Sequence, residues 1–446
     1  MKKKYQVIMP VALPLLLVLS VIMMLQNRVE QNQIYQGYLQ KARQSAQNGV
    51  YTDAASAYEA AMAMHPTIET ELELGQMYAD IGDYDSVEDV YDELVESYPK
   101  DVRTYEFGIQ TQMAQENIRG AYQVADACEE RGLTNETIQS QMQGVRYAFD
   151  LAGDFQEVRS FNTQSGLAAV QEGENWGYID SNGSRAVNYL YKQAGTFTGV
   201  GPVVDSDGEA YYIDQNGDKK ITASFFLEKD PEFGKIEAFG VQSGGLVPAY
   251  NGNVWNYYDA RTYEKRFGGY KEATAFSNGV AAVSEDGESW ALISSEGTPI
   301  TEFVYQQFLT NDQGAICSGG ALLAQKDGRY CLLDTSGNSI TDTVYEDARG
   351  FNANEPAAVK KEGRWIFLDS AGTETDLGDF EDLKSFSAGV AAAKQNGKWG
   401  YINTSGEWLI EPQFADAGPF CGKGSAFVKV PDGNWQLLLL TRFHHG

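Results

Sequence analysis

Val390-Ala-Ala-Ala-Lys-Gln-Asn-Gly-Lys-Trp-Gly-Tyr-Ile-Asn-Thr-Ser-Gly406 is the stretch on which the reading of this chain turns. Small apolar residues run into a glycine turn, and Trp-Gly-Tyr-Ile follows before a second glycine. Trp399 and Tyr401 alternate with Gly400 and Ile402, and a period of two is the period of a strand. Asn396-Gly397 is a pair that tolerates positive φ in a tight hairpin. One short segment therefore specifies two strands and the turn that joins them.

The pattern recurs between Leu167 and Leu440, most clearly in Leu167-Ala-Ala-Val-Gln-Glu-Gly-Glu-Asn-Trp-Gly-Tyr-Ile-Asp-Ser-Asn-Gly183. Aligning eight copies places Trp176, Ala210, Trp255, Trp290, Tyr330, Trp365, Trp399 and Trp435 in one column, at intervals of 34, 45, 35, 40, 35, 34 and 36 residues. Units of this length cannot bury a face alone and must stack on their neighbours. Glu172-Gly173, Asp286-Gly287, Asp327-Gly328 and Asp432-Gly433 supply further hairpin turns. Asp180, Asp214, Asp334 and Asp369 each stand three residues before a turn glycine, and Asp259 holds the same place in a copy that lacks the glycine. An Asp so placed can hydrogen-bond its own turn backbone. A calcium loop is the other reading of these carboxylates, but the nearest run, Asp205-Ser-Asp-Gly-Glu209, has its glycine too early and no closing Glu.

These units resemble WG repeats, whose pattern is roughly Gly-Lys-Trp-Gly-Tyr-Ile-Asp, Gly, Ile-x-Pro-x-Phe, Ala-x-x-Phe, Gly-Leu-Ala-x-Val. The seventh copy matches nearly throughout, with Gly397, Lys398, Trp399, Gly400, Tyr401, Ile402, Gly406, Ile410, Pro412, Phe414, Ala417, Phe420 and Gly424. Other copies drift: Ala210 and Tyr330 replace the Trp, and only Trp176 and Trp399 keep the following Gly. The resemblance implies a β-repeat interaction scaffold and transfers no catalytic residue. Radial packing hides edge strands that a linear array leaves open, so a seven- or eight-bladed β-propeller is the favoured arrangement and an open β-solenoid its rival. The last hairpin, Ala426–Leu440, ends without its third piece, as a ring closed by pairing the two ends of the domain requires.

Upstream the period becomes helical, and residues 34–162 resemble tetratricopeptide (TPR) repeats. One copy carries Gly49, Tyr51, Ala54, Tyr58, Ala61 and Pro66; the next carries Leu74, Gly75, Tyr78, Gly82, Tyr84, Val87, Tyr91, Leu94 and Pro99. Two weaker copies follow, one with Phe107-Gly108 and Ala127, the other with Gly153-Asp-Phe155, giving three to four helical hairpins. The resemblance implies a groove for an extended peptide or a neighbouring protein; a spacer or self-association arm is the plainer reading. The boundary to the β-repeat domain, residues 165–446, falls near Asn162–Gly166.

Lys2-Lys3-Lys4 precede Val7–Leu25, an uncharged apolar segment of nineteen residues, and about 20 apolar residues span a bilayer. No small-x-small cleavage site follows, and no Cys stands at its end for lipid attachment. Residues 1–28 are accordingly read as an uncleaved signal anchor. Its lysines stay cytoplasmic, so the bulk of the chain lies outside the membrane. The expected fold is an α + β multidomain chain: transmembrane helix, α-solenoid, all-β repeat domain.

With 34 basic and 62 acidic residues the net charge is −28, a surface that repels nucleic acid and anionic lipid. Cys128, Cys317, Cys331 and Cys421 have no metal spacing; Cys317 and Cys331 form a candidate pair, against free buried thiols. Three histidines, His65, His444 and His445, leave little for acid–base, triad or metal chemistry. No phosphate loop, dinucleotide fingerprint or nucleophile elbow is present, so no catalytic, cofactor or metal residue is assigned. The expected function is a membrane-anchored, non-catalytic scaffold for protein partners. The alternative is recognition of cell-wall glycan by Trp176, Trp255, Trp290, Tyr330, Trp365, Trp399 and Trp435, since aromatic faces stack on sugars. The exposure of these rings separates blade packing from ligand contact.

Overall fold

The computed structural model describes residues 9–444, with side chains from residue 20 onward. The chain divides after Arg146 into a helical unit and a β unit that runs from Tyr147 to His444.

The helical unit comprises α1 (Met9–Gln47), α2 (Tyr51–Met64), α3 (Ile68–Ile81), α4 (Tyr84–Ser97), α5 (Val102–Ala114), α6 (Ile118–Glu130) and α7 (Glu136–Gln143). Helices α1/α2, α3/α4 and α5/α6 pair as three hairpins. The chain writes each start locally. Thr67, Asp83, Asp101, Asn117 and Asn135 each accept a backbone N–H from the first turn of the helix they precede, a cap worth about 1 kcal/mol. Gly82, at φ 74°, ends α3 in the left-handed region. A Cβ at Gly75 would meet the Phe107 ring, and one at Gly108 would run into the Tyr91 ring. Small residues thus let successive hairpins close on aromatics, as the repeat spacing predicts.

The helical region ends earlier than the sequence suggests. Gly153-Asp154-Phe155 belongs to no fourth hairpin: Phe149–Phe155 is a strand paired antiparallel with Trp435–Leu440, Phe149 opposite Leu440 and Leu151 opposite Leu438. Gly153 takes φ 72° inside a register shift between Ala152 and Phe155, so its glycine marks a bulge. The β domain consequently starts before position 165.

Eight antiparallel sheets follow and form an eight-bladed propeller. The seventh shows the plan: Asp382–Leu383, Ala391–Gln395, Lys398–Ile402 and Trp408–Phe414, paired in that order. Its hairpin turn, Asn396-Gly397, has φ 53° and 75°, the two positive values a type I′ turn needs. Gly400 explains the Gly after Trp, because a Cβ there would collide with the carbonyl of Ile410 on the next strand. The eighth blade draws Asp416–Ala417, Ser425–Lys429 and Trp435–Leu440 from the end of the domain and Phe149–Phe155 from its start. Both ends of the domain share one sheet, which closes the ring and excludes the open solenoid. The core sits within and between blades, built on small strands such as Ala357–Lys361 and Ala391–Gln395.

Of the signal-anchor segment, 1–28, residues 1–8 lie outside the described residues and residues 9–28 form the start of α1, with side chains described from residue 20. Among the described residues no helix is long and apolar enough to cross a membrane. Val21, Ile22, Met23, Met24 and Leu25 are exposed on α1.

Candidate functional site

The aromatic column is built into the blades. Trp176, Tyr330, Trp365 and Trp399 are buried, as is Ala210; Trp255, Trp290 and Trp435 are half-buried. In three blades a cation lies over the ring. Arg159 is 5.3 Å from the Trp176 centroid, Arg349 4.5 Å from that of Trp365, and Lys384 5.0 Å from that of Trp399. Each cation directly follows its blade's two-residue first strand, Glu157–Val158, Asp347–Ala348 or Asp382–Leu383. Cation–π contact of this kind holds the ring as well as the cation. Arg349 also pairs with Asp347 at 2.8 Å and with Asp382 of the next blade at 3.2 Å, and Lys384 pairs with Asp416 at 2.7 Å. Alternating charges thereby link the sixth, seventh and eighth blades. A ring that is buried and covered on one face offers little to a sugar.

The Tyr two places after the column spans the blade boundary. Tyr178 Oη donates to the Gly195 carbonyl at 2.9 Å, Tyr212 to Gly240 at 2.6 Å, Tyr257 to Thr274 at 2.6 Å and Tyr401 to Gly418 at 2.8 Å. Every acceptor is the residue just after the first strand of the following blade. Burial pushes the phenols of Tyr178, Tyr212, Tyr257 and Tyr401 far up, so they remain donors at all physiological pH. Aromatic pairing reinforces all four joints, Tyr212 meeting Phe239 at 4.8 Å between centroids. Tyr178 meets Phe197 at 5.3 Å, Tyr257 meets Phe276 at 5.3 Å and Tyr401 meets Phe420 at 4.6 Å between centroids.

The Asp after the Tyr serves its own turn. Asp180 Oδ1 accepts from Asn182 N and Ser184 N, both at 2.9 Å, and Asp214, Asp334 and Asp369 repeat the arrangement. Asn403 does the same in the seventh blade. Asp205 accepts from Asp207 N and Glu209 N, so the calcium-like run is also a turn. Among the described residues no cluster of His, Cys, Asp or Glu is arranged to hold a metal ion. Cys128, Cys317, Cys331 and Cys421 are free thiols; Cys317 and Cys331 share a core cluster without bonding.

In the helical unit, Ala54 and Tyr58 are buried on α2 and Gly75 on α3, while Tyr78, Tyr84 and Tyr91 are half-buried. Gly49, Tyr51, Gly82, Pro66 and Pro99 lie at exposed turns and helix ends. Arg43 of α1 grips Glu73 of α3 through two hydrogen bonds, at 2.8 and 2.6 Å. Burial, with Glu73 beside it, pushes the Tyr58 phenol up to about 12. A polar groove runs between α4 and α6, lined by Glu88, Tyr91, Asp92, Gln112, Gln115 and Gln123 among others. The α3–α4 hairpin, 68–97, carries eleven carboxylates and no Lys or Arg.

The sequence profile described as "WG containing repeat" matches residues 269–288, 332–365, 378–399 and 399–435. The chain carries WG repeats. No curated protein matches it. Its fold is similar to the solved structure of BamB from Moraxella catarrhalis, at 11% identity over 66% of this chain and 100% of that one, with a TM-score of 0.38. It is also similar to a structure titled as a eukaryotic initiation factor, at 11% identity over 66% and 88%, TM-score 0.41. A third is the WD40 β-propeller domain of Doa1, at 11% identity over 66% and 95%, TM-score 0.30. At such scores nothing known of those proteins transfers to this one.

Within the WG repeats, the sequence locates the Trp, Tyr and Asp positions but not what they bind to. The Tyr hydroxyl reaches the next blade, a partner 17 residues on in three copies, Tyr178–Gly195, Tyr257–Thr274 and Tyr401–Gly418, and no periodicity within a strand announces it. Nothing in the repeat pattern announced the cations over the rings, Arg159, Arg349 and Lys384.

Proposed function

We propose that this chain is a membrane-anchored, extracytoplasmic scaffold that works through protein–protein contact and carries out no chemistry of its own. One observation carries the reading: the residues that define the repeat are spent inside the ring. The Trp fills blades, the Tyr joins them and the Asp closes turns, which leaves loops and edges as variable contact surface. The helical hairpins, with their tetratricopeptide-like signature, would take a protein partner along a groove, and the acidic α3–α4 pair favours one with a basic face. The apolar run Val7–Leu25 behind three lysines supports anchoring, with Met9–Gln47 continuing as one helix into the first hairpin. A bacterial cell envelope suits this arrangement.

Topology is tested by fusing a periplasm- or exterior-active reporter after Gly446 and, separately, a reporter active only in the cytosol. Activity of the second alone would sink the extracytoplasmic assignment. Binding is tested by immobilising the chain and presenting envelope proteins and purified wall polysaccharide in parallel. Retained polysaccharide that is lost when half-buried Trp255, Trp290 and Trp435 become Ala would replace the scaffold reading with glycan recognition.

A further inference from the structure

The fifth blade departs from the plan of the others. Between its first strand, Gln307–Phe308, and its long strand Ala321–Lys326 it spends residues 309–320, twelve residues. The other blades use six there (195–200, 240–245, 274–279), seven (384–390, 418–424) or eight (159–166, 349–356). The extra length is an ordered hairpin. Asn311 Oδ1 accepts from Gln313 N at 2.9 Å and Ala315 N at 3.0 Å, and Asn311 N donates to the Ala315 carbonyl at 2.9 Å. Gly314, at φ 80°, makes the reversal.

The tip of this hairpin reaches residues that no neighbour of the fifth blade supplies. Gln313 Nε2 donates to the Phe161 carbonyl at 3.2 Å, and Gln313 Oε1 accepts from Asn162 Nδ2 at 3.1 Å. Phe161 and Asn162 belong to the first blade. Asn162 is 5% exposed, and its own Oδ1 is held by Gln164 N and Ser165 N, so it presents a fixed donor. Asn311 Nδ2 meanwhile donates to Phe351 O of the sixth blade at 3.0 Å, and Gly314 lies beside Val241 of the third. In a ring of eight, the first and fifth blades face each other across the axis. A direct hydrogen bond between them must cross the axis, within the channel or over its mouth.

We propose that residues 309–316 are a fixed plug that closes one mouth of the axial channel and latches the fifth blade to the first. The amide of Gln313 forms a reciprocal pair with Phe161 and Asn162, matching one donor and one acceptor on each side. Two results follow. Ligands and peptides do not thread the ring by this mouth, so partners of the propeller meet its rim or its other end. The latch also braces the first blade, which adjoins the sheet where the ring closes.

Hydrogen exchange on the full chain tests this directly, comparing the natural protein with Gln313→Ala and with Asp312→Ala, an exposed neighbour on the same loop. For Gln313→Ala the expected result is exchange about fivefold to tenfold faster in peptides covering both 309–316 and 159–166, with 391–395 unchanged. Asp312→Ala is expected to leave 159–166 as it was. Acceleration confined to 309–316, or none in either segment, would overturn the latch, because the two segments meet only across the channel.

Discussion

The hydroxyl of Tyr401 in the seventh blade donates to the carbonyl of Gly418 in the eighth over 2.8 Å, and three earlier blades repeat the relationship. In the fourth, fifth and eighth blades the same column holds Leu292, Leu332 and Leu437, and in the sixth Phe367. The ring therefore tolerates joints without the bond, but a joint built around it has a carbonyl that depends on the donor. Tyr401→Phe keeps the ring's volume and its contact with Phe420 while removing that donor. We expect a loss of about 1–2 kcal/mol in chemical unfolding, and an unchanged denaturation midpoint would show that the bond adds nothing.

Trp399 and Trp290 occupy one sequence column but different environments, the first buried beneath Lys384 and the second half-buried. Trp399→Ala should cost about 3–5 kcal/mol, in the range for a buried aromatic replaced by Ala. Trp290→Ala should cost clearly less. Equal losses at the two sites, measured by thermal unfolding, would contradict the packing account of the column.

Removing the strand Phe149–Phe155 leaves the eighth blade one strand short and exposes the edge of Trp435–Leu440. A fragment spanning 147–446 should unfold in one cooperative transition. One starting at 165, where the sequence alone puts the domain boundary, should melt lower and aggregate. Sedimentation and calorimetry of the two side by side decide the matter; equal melting would mean the closing strand is dispensable.

Asp286 is held down to about 2 by the backbone amides of Ser289 and Glu288. A carboxyl whose folded value is depressed contributes stability above its unfolded value near 4, and that contribution is lost as pH falls toward 2. Asp286→Asn retains the turn acceptor, as Asn403 does naturally, but cannot titrate. The natural protein should lose more stability than the variant between pH 5 and pH 2, about the span of the two values. Parallel acid titrations followed by circular dichroism would show superimposable curves if this turn carboxylate carried no pH dependence.

Much of this architecture was legible in the chain. Trp399, Tyr401 and Asn396-Gly397 announce strand, strand and turn because each constraint is local: side-chain alternation and positive φ act within a few residues. Gly75 and Tyr91 announced helical pairing for the same reason. Phe149–Phe155 was misassigned because Gly153-Asp154-Phe155 looks like the loop of a helical hairpin. Its identity as a strand depends on Leu438 and Leu440, nearly three hundred residues downstream. The plug was equally hidden: the interval of 40 residues between Trp290 and Tyr330 signals extra chain, but not that its tip crosses the ring.

Closure by both ends of the domain also sets a timetable. Phe149 pairs with Leu440, so the first strand of the ring is made long before its partner exists. At about 5–20 residues per second of synthesis the wait is roughly 15–60 s. Throughout that interval the strand Phe149–Phe155 keeps a bare edge, and the pairing that finishes the ring is the most distant in the domain, the kind that forms slowly. Assembly of this propeller is thus a terminal event, reached when the whole domain is present, and a chain that stalls short of Leu440 remains unsealed.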